Sequence, residues 1–330
     1  MNFELSHHII CPAPAERVYA LISEPLDWPD ILTHCVATRM LASSRTGQTV
    51  EMTVSTGSGT ATWQSERRLR PEFHGVEEYQ RHPMPLVEQI QTSWRVVTLD
   101  TDSCVLLAEH SVDITDESTG TPNDTQSPYD AAAHIADMIH RNIELALADY
   151  QAAALARCTT TTTGDISDGT IRHVVICEAK AEAVYDVVCD TRIWPQLFDA
   201  CEDVEIVQEV DDISDVRVYA IQNGRRVSWV TRRVHHRDLR RVDYQLLESM
   251  PFVAEMAGQW RVIPLEPGRC LLVVDRWWTM LDDVQGIRDG IESVTQAAEF
   301  VRSFVDTNAA AEMRVIANHV RSSGMEAATR

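Results

Sequence analysis

The chain repeats itself once, at an offset of 166 residues. That offset carries Trp63-Gln-Ser-Glu-Arg67 onto Trp229-Val-Thr-Arg-Arg233, and both read Trp-x-Ser/Thr-x-Arg. Without a gap it also joins Cys11 to Cys177, Val18-Tyr19 to Val184-Tyr185, Trp28-Pro29 to Trp194-Pro195 and Cys35 to Cys201. Further along it joins Met84-Pro85 to Met250-Pro251, Trp94-Arg95-Val96 to Trp260-Arg261-Val262, Cys104 to Cys270 and Asn142 to Asn308. Tryptophan and cysteine are rare, so chance does not place several of each at one spacing. The period is far longer than a solenoid unit and close to one domain. We read a tandem duplication: one domain over residues 1–157, a threonine-rich linker over 158–169, and a second domain over 170–330 whose tail, 322–330, frays.

Read as a β-strand, the duplicated motif puts tryptophan, hydroxyl and arginine on one face, because side chains alternate at period two. An arginine on a buried face must be paired or must serve a ligand, since it does not lose its charge.

The rest of each half reads in one order. Residues 3–11 form a strand, and Pro14 opens a helix that Asp27-Trp28-Pro29 interrupts before a second short helix to about His34. From Cys35 to Asp113 alternating, β-branched segments predict an antiparallel meander of about six strands. Turns fall near Ser43–Gly47, Gly57–Gly59, Arg70–Gly75, His82–Pro85 and Asp100–Ser103, and the polar stretch Thr115–Ser127 is a loop. A long amphipathic helix follows from Tyr129 to Arg157. The second half repeats this as a strand over 171–178, a helix from Lys180, strands from 201 to about 281, and a helix from about Val284 to Arg321. The fold class is α+β: a curved antiparallel sheet wrapped on a long C-terminal helix, twice, with room for a cavity between sheet and helix.

A formal charge of −21 argues against nucleic-acid binding, which needs a basic surface. No apolar run reaches transmembrane length and no basic-then-apolar signal opens the chain, so no membrane partner and a cytoplasmic protein are expected. The eight cysteines lack metal-ligand spacing, and six of them recur as three pairs of core positions while Cys158 and Cys189 stand outside the pattern, so neither a metal nor a disulfide framework is expected. No glycine-rich dinucleotide fingerprint follows a strand, so no nicotinamide cofactor is expected.

This order of elements resembles the helix-grip fold of the START and birch-pollen-allergen superfamily, which hosts both enzymes and non-catalytic binders. Within it the residues are similar to the two-domain type II polyketide aromatase/cyclases. The resemblance rests on Trp28-Pro29 and Trp194-Pro195, on the Trp63 to Arg67 and Trp229 to Arg233 strands, and on the turns at Met84-Pro85 and Met250-Pro251-Phe252 feeding Trp94-Arg95 and Trp260-Arg261. It implies first-ring cyclisation, dehydration and aromatisation of a poly-β-ketone, ketoreduced beforehand, on an acyl carrier protein alongside other polyketide synthase components, without a cofactor. It maps the family's pocket arginine and neighbouring hydroxyl to Arg67 and Ser65, with Arg233 and Thr231 as second-domain equivalents. Where some members carry a tyrosine, Cys35 and Cys201 stand here, which counts against a mechanism needing a phenol at that place. The other reading is a START-like carrier of a hydrophobic small molecule.

Aldol closure and dehydration pass through enolates, which a fixed guanidinium in a dry pocket would stabilise. Ser65 and Thr231 suit hydrogen-bond positioning, and His110 in the last strand of the first half suits proton transfer at neutral pH or is a surface strand histidine. Trp28, Trp63 and Trp94, with Cys35, line the expected substrate site, and Trp194 and Trp229 repeat it; the tryptophans stack on flat intermediates or simply pack the core.

Two asymmetries are expected. The first pocket is the larger and main one, because small residues at Thr53–Thr62 face Tyr219, Ile221, Arg225 and Arg226 at the same offset, because Arg276 replaces His110, and because one indole of Trp277-Trp278 must point inward. The run from Arg225 to Arg241 either docks an acidic carrier or pairs with the chain's own carboxylates.

Overall fold

The computed structural model describes residues 2–56, 59–84, 86–114, 128–156, 169–222, 224–248, 250–288 and 290–328. The chain divides into two compact units, Met1–Thr161 and Thr162–Arg330. In the first, strand β1 (Asn2–Cys11) leads to helix α1 (Ala15–Ser23), a 3-10 turn over Pro25–Asp27 and helix α2 (Trp28–Ile31). Six strands follow: β2 (Cys35–Ser43), β3 (Gly47–Thr56), β4 (Gly59–Arg70), β5 (Gly75–Met84), β6 (Val87–Thr98) and β7 (Cys104–Ile114). Helix α3 (Pro128–Ala156) closes the unit. The sheet runs β1-β7-β6-β5-β4-β3-β2, and every pairing is antiparallel. This is the meander expected from the alternation, with β1 returned to the far edge. The fold is a helix-grip α+β unit.

The second unit repeats it with β8 (Gly169–Cys177), α4 (Ala181–Cys189), α5 (Trp194–Leu197), β9 (Cys201–Val210), β10 (Ile213–Gln222), β11 (Arg225–His236), β12 (Arg241–Leu246), β13 (Val253–Glu266), β14 (Arg269–Met280) and α6 (Val294–Ala328). Its sheet order is β8-β14-β13-β12-β11-β10-β9. The repeat extends to backbone conformation. His74 and Arg240 are both left-handed at φ 46°, and Leu86 and Phe252 are left-handed at φ 68° and 73°. Side-chain residues rarely adopt that region, so its recurrence at the same offset marks two copies of one turn geometry.

Three boundaries differ from expectation. β8 begins at Gly169, inside the stretch read as linker, where Trp278 packs so closely that a Cβ on Gly169 would lie 2.0 Å from its ring. The linker's other residues, and the loop at Thr115–Ser127, lie outside the described residues. Helix α6 starts at Val294, ten residues later than read, because Gly286 and Gly290 take φ 74° and 83°. Its start carries a sequence signal of its own: Ser293 Oγ accepts from Gln296 N–H at 3.3 Å, the Ser-x-x-Gln pattern of a capped helix. The tail expected to fray continues as helix to Ala328, with Ser322 and Ser323 hydroxyls donating to the carbonyls one turn back.

Each core lies between the sheet's concave face and its long helix. In the first unit Ala146, Leu147, Tyr150 and Ala154 of α3 pack on Cys11, Trp94, Leu106 and Ala108, and Ile135 and Ile139 pack on Val87, Ile90 and Val112. The cysteines of these cores are free thiols, with Cys11 opposite Cys104 and Cys177 opposite Cys270.

Candidate functional site

Strand β4 turns Trp63, Ser65 and Arg67 to the inner face, as period two requires, and Ser65 and Arg67 are almost wholly buried. Helix α1 ends beside them, and its last carbonyls have no partner within the helix. Three side chains take these up. Trp28 Nε1–H donates to Leu21 O at 3.1 Å, Arg67 Nη2 to Ile22 O at 2.5 Å, and Gln48 Nε2 to Ser23 O at 3.1 Å. Arg67 also donates from Nη1 to Gln48 Oε1 at 2.5 Å and holds its Nε 3.7 Å from Glu78 Oε2. Its guanidinium lies over the Trp28 ring, 4.7 Å from the centroid. Gln48 and Glu78 are its cross-strand partners on β3 and β5. A cation at a helix C-terminus is favoured by the helix dipole, and the indole face adds a further attraction. Burial lowers the Arg67 pKa, and Glu78 opposes that shift.

The Trp-Pro motif and the strand arginine are thus two ends of one clamp. The second unit keeps it: Arg233 Nη2 donates to Val188 O at 2.7 Å and lies 5.0 Å from the Trp194 ring centroid. Its surroundings differ. Ser214 and Tyr244 stand opposite Arg233 on the neighbouring strands, where Arg67 has Gln48 and Glu78. Without an adjacent carboxylate, burial pushes Arg233 down to about 10.

Deeper in the first unit, His110 points inward from β7 and is 3 % exposed. Its Nδ1 shares a hydrogen bond of 2.9 Å with Thr92 Oγ1, and its Nε2 has no partner. Trp94 meets it edge-on at 6.3 Å between centroids and meets Tyr150 of α3 at 5.8 Å. Burial, then the nearby His7, lower His110 to about 4, so the ring is neutral at pH 7, and in the tautomer whose Nδ1–H donates to Thr92 its Nε2 is free to take a proton. Trp63 Nε1 is likewise buried without a partner. Cys35 is buried in the same core, its thiol pushed up by burial. Two clefts open outward, of about 390 Å³ against Tyr185 and Arg237 and about 350 Å³ against Gln48 and Arg67, and neither is lined by His110.

The second interior is filled differently. At the position of His110 stands Arg276, ion-paired with Glu312 of α6 and lying near Trp260. Burial alone would lower its pKa, but Glu312 and Tyr244 carry it up. Gly258 replaces Thr92, and a Cβ there would lie 2.5 Å from Tyr244 Oη. Trp278 turns inward among Phe252, Met280 and Val301 while Trp277 faces out. Thr231 bonds the Val216 carbonyl, and Trp194 and Trp229 pack around Cys201 and Val218. Tyr219, Ile221 and Arg226 do not narrow this interior as expected. They take the outer face of their strands, Tyr219 bonded to Glu205 and Arg226 to Glu202, because Val216, Val218 and Ala220 hold the inward register. The Arg225 side chain lies outside the described residues.

Among the described residues most of the arginine run is paired or buried within the chain. Arg226, Arg232, Arg240 and Arg241 pair with Glu202, Asp215, Glu182 and Asp243, and Arg233 is buried. Among the described residues no cluster of His, Cys, Asp and Glu suits a metal ion, and no helix is long and apolar enough to cross a membrane.

The family model described as polyketide cyclase/dehydrase and lipid transport matches residues 11–119 and 177–308, one stretch in each unit and well over half the chain. The chain belongs to this family. Among relatives, the granaticin polyketide synthase bifunctional cyclase/dehydratase of Streptomyces violaceoruber is 32% identical over 34% of this chain and 34% of its own length. The actinorhodin polyketide synthase bifunctional cyclase/dehydratase of Streptomyces coelicolor is 27% identical over 27% and 28%. The chain thus spans about a third of the length of the curated relatives it matches. Among solved structures, the di-domain ARO/CYC BexL from the BE-7585A biosynthetic pathway is 20% identical over 96% of this chain and 98% of its own, at a TM-score of 0.43. The Zhui aromatase/cyclase from Streptomyces sp. R1128 is 26% identical over 47% and 94%, at a TM-score of 0.44.

Sequence reasoning singled out Arg67, Ser65, His110, Trp28, Trp63 and Trp94; the inner face of the first sheet carries all of them but Trp28, which reaches Arg67 from α2. It missed Gln48, Glu78 and Thr92, which face Arg67 and His110 across strands. Strand register was the signal needed, and it follows only once the hairpins are paired.

Proposed function

We propose that this family member is a polyketide aromatase/cyclase that closes and dehydrates the first ring of a poly-β-ketone on an acyl carrier protein, with the first unit carrying the reaction. The observation that supports this most is the contrast between two copies of one fold. Both keep the tryptophan–arginine clamp on their first helix. Only the first places a neutral, solvent-excluded imidazole with a free Nε2 against its interior, where the second has an arginine–glutamate pair and an inward indole.

The chemistry needs a group that removes a proton from carbon between two carbonyls and returns one to oxygen. His110 has the right protonation state, and Thr92 fixes its ring. Trp63 Nε1–H and Ser65 Oγ–H, on the inner face of β4, are candidates to donate to the developing enolate oxygen. Arg67 already donates from both Nη atoms to protein acceptors, so its part is to hold Trp28 and the end of α1 and to lend positive potential to the face. A ketoreduced, carrier-tethered chain is the substrate class proposed.

Reconstitution with a minimal polyketide synthase and a ketoreductase tests the reading. Adding the full chain should shift products toward the first-ring aromatic, and His110→Asn should abolish the shift while Arg276→Gln leaves most of it. An unchanged product profile with the wild-type chain would favour a carrier of hydrophobic molecules instead.

A further inference from the structure

We propose that His7 and His140 complete, with His110, a proton relay joining the interior of the first unit to solvent. The inference rests on the cyclase reading for its purpose but not for its geometry. His7 lies on the inner face of β1, diagonal to His110 on β7, with ring centroids 6.1 Å apart and the rings edge-on. Its Nε2 shares a 2.6 Å hydrogen bond with His140 Nδ1 on α3. The other nitrogen of His140 faces Glu144 Oε1 at 3.4 Å, one helical turn on, and the His140 side chain is 46% exposed. Three imidazoles therefore run from a buried strand to a wet helix face.

One gap interrupts this line, between His7 and His110, where no hydrogen bond joins the rings. His7 Nδ1 and His110 Nε2 are both buried without a hydrogen bond. A centroid separation of 6.1 Å is a span that a single bridging oxygen, of water or of a substrate hydroxyl, covers. The groups facing His110 are His7, Thr92 and Trp94. Those facing His7 are His110, His140, Glu144 and its neighbour His8. Among the described residues no carboxylate contacts His110, so an imidazolium there is poorly solvated and costly to hold, and both His110 and His7 are shifted toward the neutral form by burial.

The relay answers that cost. In the aldol step His110 Nε2 takes a proton from carbon, the electron pair left on carbon forms the new C–C bond, and the alkoxide made from the attacked carbonyl takes up a proton. The step is proton-neutral overall. The proton on His110 moves out through His7 to His140 and Glu144, and one from solvent replaces it on oxygen, so the interior ring returns to neutral before the next step.

The second copy lacks the relay at both ends. The offset takes His7 to His173 and His140 to Asp306, which bond to each other at 2.9 Å, so the strand-to-helix tie survives. The inner station is Arg276, whose guanidinium does not release a proton. The tie is kept in both copies, and imidazoles line up behind it only in the first.

The test uses the full chain labelled with 15N-histidine, and compares wild type, His7→Gln and His140→Gln. Glutamine keeps a hydrogen-bonding group at each site and carries no titratable proton. The exchange rate of the His110 ring N–H with solvent should fall about tenfold or more in both variants. In the reconstituted assay kcat should fall by a similar factor with KM unchanged, and free imidazole should restore part of it to His140→Gln. Equal His110 exchange rates in wild type and His140→Gln, whose site is half-exposed and tolerant, would overturn the relay. Slowed exchange with a wild-type chain that leaves polyketide products unchanged would keep the relay and reject the cyclase reading.

Discussion

Replacing Arg67 by alanine should destabilise the first unit far more than Arg233→Ala destabilises the second. Arg67 makes two hydrogen bonds of 2.5 Å and stands 3.7 Å from the buried Glu78 carboxylate. Hydrogen bonds to charged groups are worth about 1.5–3 kcal/mol each, and removing one partner of a buried ion pair costs about 3–5 kcal/mol because the other charge is stranded. These overlap, since one side chain supplies all of them, and a loss of about 4 kcal/mol is expected. Arg233 makes one such bond, to Val188 O, and its own charge is poorly compensated, so its removal should cost about 1–2 kcal/mol. Against a typical total of about 5–15 kcal/mol the first loss is severe. Hydrogen exchange in increasing denaturant, read separately on peptides covering α1 and α4 in the full chain, resolves the two units. Adding Glu78→Gln to Arg67→Ala should recover at least about 1 kcal/mol, because it removes the stranded charge. A loss below about 1 kcal/mol for Arg67→Ala, or a larger loss for Arg233→Ala, would refute the clamp and return Arg67 to a purely catalytic role.

Two further outcomes follow from the interiors. His110 titrates near 6.5 in the unfolded chain and at about 4 when folded, so the unfolded state binds the extra proton between those values. The stability it contributes is complete above pH 6.5 and is lost as pH falls toward 4, by about 3 kcal/mol, and His110→Asn should flatten that part of the denaturation profile. Gly258→Thr imports the first unit's residue into the second, where its Cβ would lie 2.5 Å from Tyr244 Oη and the Asp275 carbonyl. It should cost about 2–3 kcal/mol in the second unit only, measured as a lowered thermal midpoint, and Tyr244→Phe should not restore it because the carbonyl remains.

The duplication, the strand-and-helix order and the inward face of Trp63, Ser65 and Arg67 were legible in the sequence, because period-two alternation and a fixed offset are local or self-referring signals. So was the inward turn of one indole at Trp277-Trp278. The start of α6 was legible too, in Ser293-x-x-Gln296 and in the repeat's own offset from α3, but an acidic stretch at Asp282-Asp283 imitates a helix start. What the sequence did not determine was partnership. That Arg67 clamps the end of α1 through Trp28 and Gln48, that Glu78 faces it, and that His7 and His140 line up with His110 all depend on hairpin register and on where a long helix lies across the sheet. Those are set by packing residues more than a hundred positions apart, such as Leu5 with His110 and Asp149 with Thr33. A buried charge in a sequence announces only that it needs a partner, and the tertiary fold decides whether that partner is a carbonyl, a carboxylate or a substrate.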